Sequence, residues 1–248
     1  MKLSNGSEKD GLLSAPSIRT LAGEGLSIFA VPRLIAAIPG FRDLPRGGNA
    51  PVIVLPGFGA GDTSTFVTRG LLAALGYAVL GWGFGINRGN VEEMLPHVQT
   101  RVAALAKQSR LPVHLVGWSL GGVFAREVAR DTPRVVASVV TLGTPVVGDS
   151  KYTWVGPLYR AFGTDLEGME VRIDERNRRL IRVPVTALFS RGDGIVDWRA
   201  CIDTYDDDID HVEVEATHLG MGFDPQVLRI LAERLGRRTN KTRIKRAA

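Results

Sequence analysis

The stretch Val113-His114-Leu115-Val116-Gly117-Trp118-Ser119-Leu120-Gly121-Gly122-Val123-Phe124-Ala125-Arg126-Glu127-Val128-Ala129-Arg130 decides the fold. A short apolar run, of the kind that forms a strand buried on both faces, ends in a Gly-x-Ser-x-Gly turn. The turn passes directly into a helical pattern. A serine on so sharp a strand-to-helix turn sits in a strained backbone conformation. Glycines two residues to either side remove Cβ atoms that would collide with neighbouring chain. Ser119 Oγ then projects above the sheet, at a helix N-terminus that favours developing negative charge. Out of context, the same residues would be a Gly-rich turn with an inert serine.

Outward from this turn the chain alternates. Val52 to Leu55 reads as a buried strand, residues 63–75 as a helix with Thr63 at its N-cap, and Tyr77 to Trp82 as a second strand. A longer helix over 91–109 precedes the strand Val113 to Val116, and a helix over 120–130 follows the serine turn. Val135 to Leu142, Val183 to Phe189 and His211 to Val214 complete the strands, and Asp224-Pro225 opens a last helix through Leu235. Strands alternating with helices predict a three-layer α/β fold. Its mostly parallel sheet has about six strands, with helices on both faces and right-handed crossovers. Ligands in such sheets bind beyond the carboxyl ends of the strands, so the chemistry belongs in the loops after each strand.

Three segments lie outside this alternation. Residues 1–49 form an N-terminal extension, with helical material over 17–39 interrupted at Pro32 and ended at Pro39. Residues 50–236 form the domain, and within it 149–180 is an insertion long enough for a lid, containing Tyr152, Trp154, Tyr159, Phe162 and Met169. Residues 237–248 form a basic tail, expected to be disordered.

Composition narrows the class. The 248 residues are 44% hydrophobic and 23% charged, which excludes a disordered or fibrous chain. One cysteine, Cys201, excludes an intrachain disulfide and a multi-cysteine zinc site. The net charge of +5 is a property of the tail: without Arg237, Arg238, Lys241, Arg243, Lys245 and Arg246, 25 bases face 26 acids. No nucleic-acid face is therefore expected; the tail reads as a solvated end, and the alternative is a weak anionic membrane contact, which an apolar face at 17–39 would support. The first ten residues have no signal-like apolar core, and Leu26 to Ile38 is broken by Pro32 and Arg33 and too short to span a bilayer. The expected location is cytoplasmic or peripheral to a membrane.

A nucleophilic serine needs a base. His97 lies within a helix, while His114 and His211 lie at the wrong ends of their strands. His218, in Ala216-Thr217-His218-Leu219-Gly220, is the histidine at a strand's carboxyl end. The carboxylate that orients it is sought in Ser190-Arg191-Gly192-Asp193-Gly194-Ile195-Val196-Asp197-Trp198. Asp193, in a tight turn between glycines, is favoured over Asp197. The acids at 206–210 read as a solvated loop without metal-ligand spacing, so no metal and no cofactor are expected. The amides of Leu120 and of Phe58, in Pro56-Gly57-Phe58-Gly59-Ala60-Gly61, are the candidate oxyanion donors. Trp82, Trp118 and Trp154 are the candidate pocket walls.

Through LPGFGAGD, YAVLGWGFGINRG, LVGWSLGGVFAREVAR, VVTLGTPVVG, LFSRGDGIVDW and THLG, residues 50–236 resemble α/β-hydrolases of the bacterial lipase/esterase kind. In such families the Asp two residues before Ile-Val is the acid of the triad, which supports Asp193. The resemblance implies a hydrolase of carboxylic esters working through an acyl-enzyme at Ser119, and the aromatic residues of 149–180 with Phe58, Trp82, Phe84 and Trp118 lead to an expected preference for medium acyl chains. The alternatives are an acyltransferase using the same acyl-enzyme and a non-catalytic binding protein of the same fold. Two departures stand out: Trp118 occupies a position where many lipases carry His, and too little chain precedes Val52 for the leading antiparallel strands. The turn SRGDGIVDW is also similar to polyhydroxyalkanoate synthases, which use cysteine where this chain has Ser119.

Overall fold

The computed structural model of the chain describes residues 16–146, 176 and 178–247. Its strands are β1 (Pro51–Leu55), β2 (Ala78–Gly81), β3 (Val113–Trp118), β4 (Val136–Leu142), β5 (Val185–Phe189) and β6 (Asp210–Glu213). They form one sheet in the order β2-β1-β3-β4-β5-β6, and every neighbouring pair is parallel. The α-helices are α1 (Ile18–Gly23), α2 (Ala30–Ala37), α3 (Phe66–Ala74), α4 (Val91–Ser109), α5 (Leu120–Asp131) and α6 (Pro225–Ala247).

Strand parity divides the core into two layers. Ile53 and Leu55 of β1, Val113 and Leu115 of β3, and Val185 and Ala187 of β5 pack with Val98 and Val102 of α4 and Phe124 and Val128 of α5. The intervening residues Val52, Val54, Val116, Val140 and Leu188 pack on the other side with Leu72 of α3 and Leu228, Leu231 and Leu235 of α6. Both faces are covered, which is why these strands are continuous apolar runs.

The boundaries differ from expectation where backbone chemistry allows. Pro32 does not interrupt the N-terminal helix: it is the third residue of α2, in the first turn, where an N–H has no intrahelical carbonyl to lose. Pro39 does not end the helical path either, since a 3-10 turn carries it from Ile38 to Asp43. The helical run Ile18–Asp43 is 26 residues and contains an 18-residue window of mean hydropathy 1.5, long and apolar enough by length and composition alone to cross a bilayer. The expected helix over 63–75 opens as a 3-10 turn, Asp62–Thr65, with no side-chain cap from Thr63. At the other end α6 continues past Leu235, and the segment expected to be a disordered tail is helical through Ala247. Thr239 is buried there, its hydroxyl donating to Leu235 O at 3.0 Å and lying 3.2 Å from His114 Nε2.

Candidate active site

The chain leaves β1 for β2 on one side and then returns to place β3 on the other. The strand order therefore reverses at β1/β3, and a crevice opens beyond their carboxyl ends. Ser119 sits at that point, directly after β3 and directly before α5. Its φ of 54° and ψ of −124° place a non-glycine residue in a strained region. The strain is held by close packing. A Cβ on Gly117 would lie 2.3 Å from Gly122 Cα, and one on Gly121 would lie 2.1 Å from Leu55 O. Ser119 N donates to Leu142 O at 2.8 Å, and Thr144 Oγ1 donates to Ser119 O at 2.9 Å, so the end of β4 fixes the turn.

The loops after β5 and β6 meet beside this turn. His218 Nδ1 donates to Asp193 Oδ2 at 2.6 Å, and both residues are buried. Asp193 Oδ1 accepts from the backbone N–H groups of Ile195 and Val196 at 2.9 and 2.7 Å, which fixes the carboxylate within its turn. Asp197 faces elsewhere: it accepts from Arg199 N at 2.9 Å and caps the 3-10 turn Trp198–Cys201. The structure thus pairs Asp193, not Asp197, with the histidine. Trp118 Nε1 donates to His218 O at 3.1 Å, linking the residue before Ser119 to the histidine loop.

The remaining histidines are placed as expected. His97 is exposed on α4. His114 is buried against Ser138 Oγ at 2.7 Å, and burial pushes its pKa down to about 4. His211 Nε2 accepts from Asp203 N at 2.9 Å. For His218, burial acts to lower the pKa, but the charge and hydrogen bond of Asp193 and the charge of Glu24 outweigh it, so the pKa is raised above 6.5. With Asp193 accepting from Nδ1–H, Nε2 of the neutral ring is the basic nitrogen.

The loop after β1 lies against the serine: a Cβ on Gly57 would sit 3.2 Å from Ser119 Cβ. Phe58 follows in that loop, and Leu120 is the first residue of α5, so both candidate donors flank the nucleophile. Asn87 staples the loop. Its Nδ2 donates to Pro56 O at 2.9 Å, its O accepts from Gly59 N at 2.7 Å, and its N donates to Ala60 O at 2.9 Å.

The three tryptophans fare differently. Trp82 is 1% exposed, with its ring edge-on to Phe124 and its Nε1 donating to Gly85 O at 2.8 Å. It belongs to the core rather than to a pocket wall, because β2 carries it into the layer shared with α4 and α5. Trp118 braces the His218 loop instead of standing free in the crevice. Trp154 lies outside the described residues, with most of the 149–180 insertion. A groove of about 500 Å³ runs between the N-terminal segment and the loops after β5 and β6, lined by Leu26, Phe29, Arg33, Ser190, Thr217 and others, but neither Ser119 nor His218 lines it.

Two residues of this site escaped sequence reading. One is Asn87, hidden in a turn quoted for its resemblance. The other is Glu24, 5% exposed, whose Oε1 accepts from Gly194 N at 2.7 Å and His218 N at 2.9 Å and whose Oε2 accepts from Leu219 N at 2.8 Å. A signal was present: Glu24 is the sole acid between Ser17 and Arg42, in an otherwise apolar helical stretch. An isolated carboxylate in such a stretch needs donors if it is buried.

No known protein-family profile matches the chain. The pimeloyl-[acyl-carrier protein] methyl ester esterase of Aeromonas hydrophila subsp. hydrophila is 31% identical over 119 residues, spanning 45% of this chain and 44% of that protein. The matched region is thus less than half of the relative's length. Among solved structures, Aspergillus fumigatus lipase B superposes with a TM-score of 0.59 at 17% identity, covering 76% of this chain and 52% of that one. Paleococcus ferrophilus monoacylglycerol lipase superposes with a TM-score of 0.58 at 17% identity, covering 79% and 97%. By its all-parallel sheet, its strand–serine–helix turn and these superpositions, the chain is an α/β-hydrolase in fold.

Proposed function

We propose that the chain hydrolyses carboxylic esters through an acyl-enzyme at Ser119. The observation that carries this reading is the juxtaposition at the β3 end. A serine strained at φ 54° heads α5, and the next loops bring a buried His218–Asp193 pair to the residue that precedes it. Ser119 Oγ attacks the ester carbonyl carbon while His218 Nε2 takes its proton. Asp193 fixes the tautomer and stabilises the imidazolium that forms. The amides of Phe58 and Leu120, the second at a helix N-terminus, receive the charge on the carbonyl oxygen. Collapse expels the alcohol, which takes the proton from His218. Water then repeats the cycle on the acyl-serine, His218 again taking and returning one proton, and releases the carboxylic acid.

The acyl group in this proposal is apolar and of medium length. The pimeloyl methyl ester in the name of the partial relative supports it. A p-nitrophenyl ester panel from acetate to palmitate tests it. The expected profile peaks at intermediate chain length and is absent in Ser119→Ala; a profile highest on acetate would overturn the chain-length assignment alone.

We also propose contact with a lipid surface, and its seat is the N-terminal helical segment rather than the C-terminal tail. Along Ile18–Asp43 only 11% of the apolar window is buried, and Ile18, Leu26, Ile28, Phe29, Ile35 and Ile38 point outward. Exposed Arg19 and Arg42 flank this face, while Glu24 is turned inward onto the domain, so the segment lies on the surface of a bilayer. Co-sedimentation with anionic phosphatidylglycerol vesicles is expected for the full chain and lost in Ile28→Glu/Phe29→Glu. Loss on truncation after Gly236 instead would return the contact to the tail.

A further inference from the structure

His218 and Asp193 stand on two separate loops, and a single 2.6 Å hydrogen bond between their side chains does not fix the loops to each other. The backbone on either side of that bond is tied to a third party. Glu24, at the start of the 3-10 turn that follows α1, inserts its carboxylate between the two loops. One oxygen accepts from Gly194, the neighbour of Asp193, and from His218 itself; the other accepts from Leu219. Three charge-assisted bonds to backbone amides converge on one buried carboxylate. The fit is close on the acid side as well: a Cβ on Gly194 would lie 2.2 Å from Thr20 O, so glycine there admits the N-terminal segment against the turn.

We propose that Glu24 is a positioning residue for the hydrolytic reaction, locking the Asp193 turn to the His218 loop so that the imidazole is presented to Ser119 in one orientation. This rests on the assignment of Ser119, His218 and Asp193 given above. The three donors need an acceptor-only group. A glutamine keeps the volume but replaces one acceptor oxygen with an NH2 that opposes a backbone N–H. Among the described residues the charged groups that act on His218 are Asp193, from the loop after β5, and Glu24, from the N-terminal segment. Trp118 packs on its ring side and adds no charge. Both charges favour the imidazolium, so removing that of Glu24 lowers the pKa of the base.

The test uses the full chain and two readouts that do not require the natural ester. One is the rate of fluorophosphonate labelling at Ser119 as a function of pH; the other is the kcat against KM split on p-nitrophenyl butyrate. Glu24→Gln is expected to lower kcat and the labelling rate by roughly 10–100-fold, as misplacement of a catalytic group by a fraction of an ångström does. KM should stay within about threefold, since the Glu24 carboxylate is engaged with the backbone amides of Gly194, His218 and Leu219. The acid limb of the pH profile should move to lower pH. Glu24→Asp keeps the charge but withdraws the carboxylate, so it should lose rate while leaving the limb in place; it also supplies the test if the glutamine variant does not fold. Wild-type rate and limb in a folded Glu24 variant would overturn the proposal. A wild-type chain that is never labelled at Ser119 would instead overturn the assignment on which it rests.

Discussion

The two halves of the proposed machinery are held by opposite devices. The turn at Ser119 is built by close packing: its conformation follows from glycines at 117, 121 and 122, where any Cβ would run into the turn itself or into the ends of the two adjoining strands. The His218–Asp193 half is built at long range, by a carboxylate 194 residues from one loop and 170 residues from the other. The first device works by leaving atoms out and tolerates no addition. The second works by adding one charged group, whose loss is expected to leave partial function. A strained turn needs local exclusion, whereas two independent loops need a shared anchor.

The comparison can be broken at its stronger joint first. Asp193→Asn leaves the loop contacts in reach but removes the charge that fixes the imidazole. It is expected to lower kcat by roughly 10³–10⁴-fold, while Asp197→Asn, which disturbs a cap facing away from His218, should cost less than about tenfold. The reverse ranking in a steady-state assay would assign the orienting role to the other acid. Next in size comes the anchor at Glu24, with the smaller loss and shifted acid limb set out above. Asn87 sharpens the contrast from the oxyanion side, because it ties a loop within its own neighbourhood, 31 residues from Pro56. Asn87→Ala leaves the buried carbonyl of Pro56 without its side-chain donor, while the backbone bonds to Gly59 and Ala60 remain. It should destabilise the fold by about 1–3 kcal/mol in urea denaturation and lower kcat about tenfold or less. A stable variant with unchanged kcat would mean that the loop after β1 needs no staple.

Sequence made the local device legible and hid the long-range one. The four central strands followed from apolar runs buried on both faces, the two edge strands from the alternation with helices, and the serine turn from the glycines around it. The pairing of His218 with Asp193 was legible because each follows a strand at its carboxyl end, a rule of topology that needs no coordinates. Nothing comparable marks Glu24 as a partner of residues 194, 218 and 219, because a hydrogen bond to a backbone amide imposes no pattern on the partner's side chain. Trp82 misled for a related reason. Its position at a strand end predicts a crevice wall, but β2 is an edge strand whose carboxyl end turns its ring down into the layer between sheet and α4. The helical course through Pro32 and beyond Leu235 was missed because proline is harmless in a first turn and because α6 keeps a buried face as far as Thr239.

The central claim, that Ser119 is a nucleophile activated by His218, is tested most directly by active-site labelling of the intact chain with a fluorophosphonate followed by peptide mass mapping. The account predicts a single labelled residue, Ser119, with the labelling rate rising through a pH midpoint above 6.5, where the raised pKa of His218 places the neutral base. Ser119→Ala should abolish labelling without unfolding the chain and lower ester turnover by roughly 10⁴–10⁶-fold. Labelling elsewhere, or full esterase activity in the folded alanine variant, would contradict it.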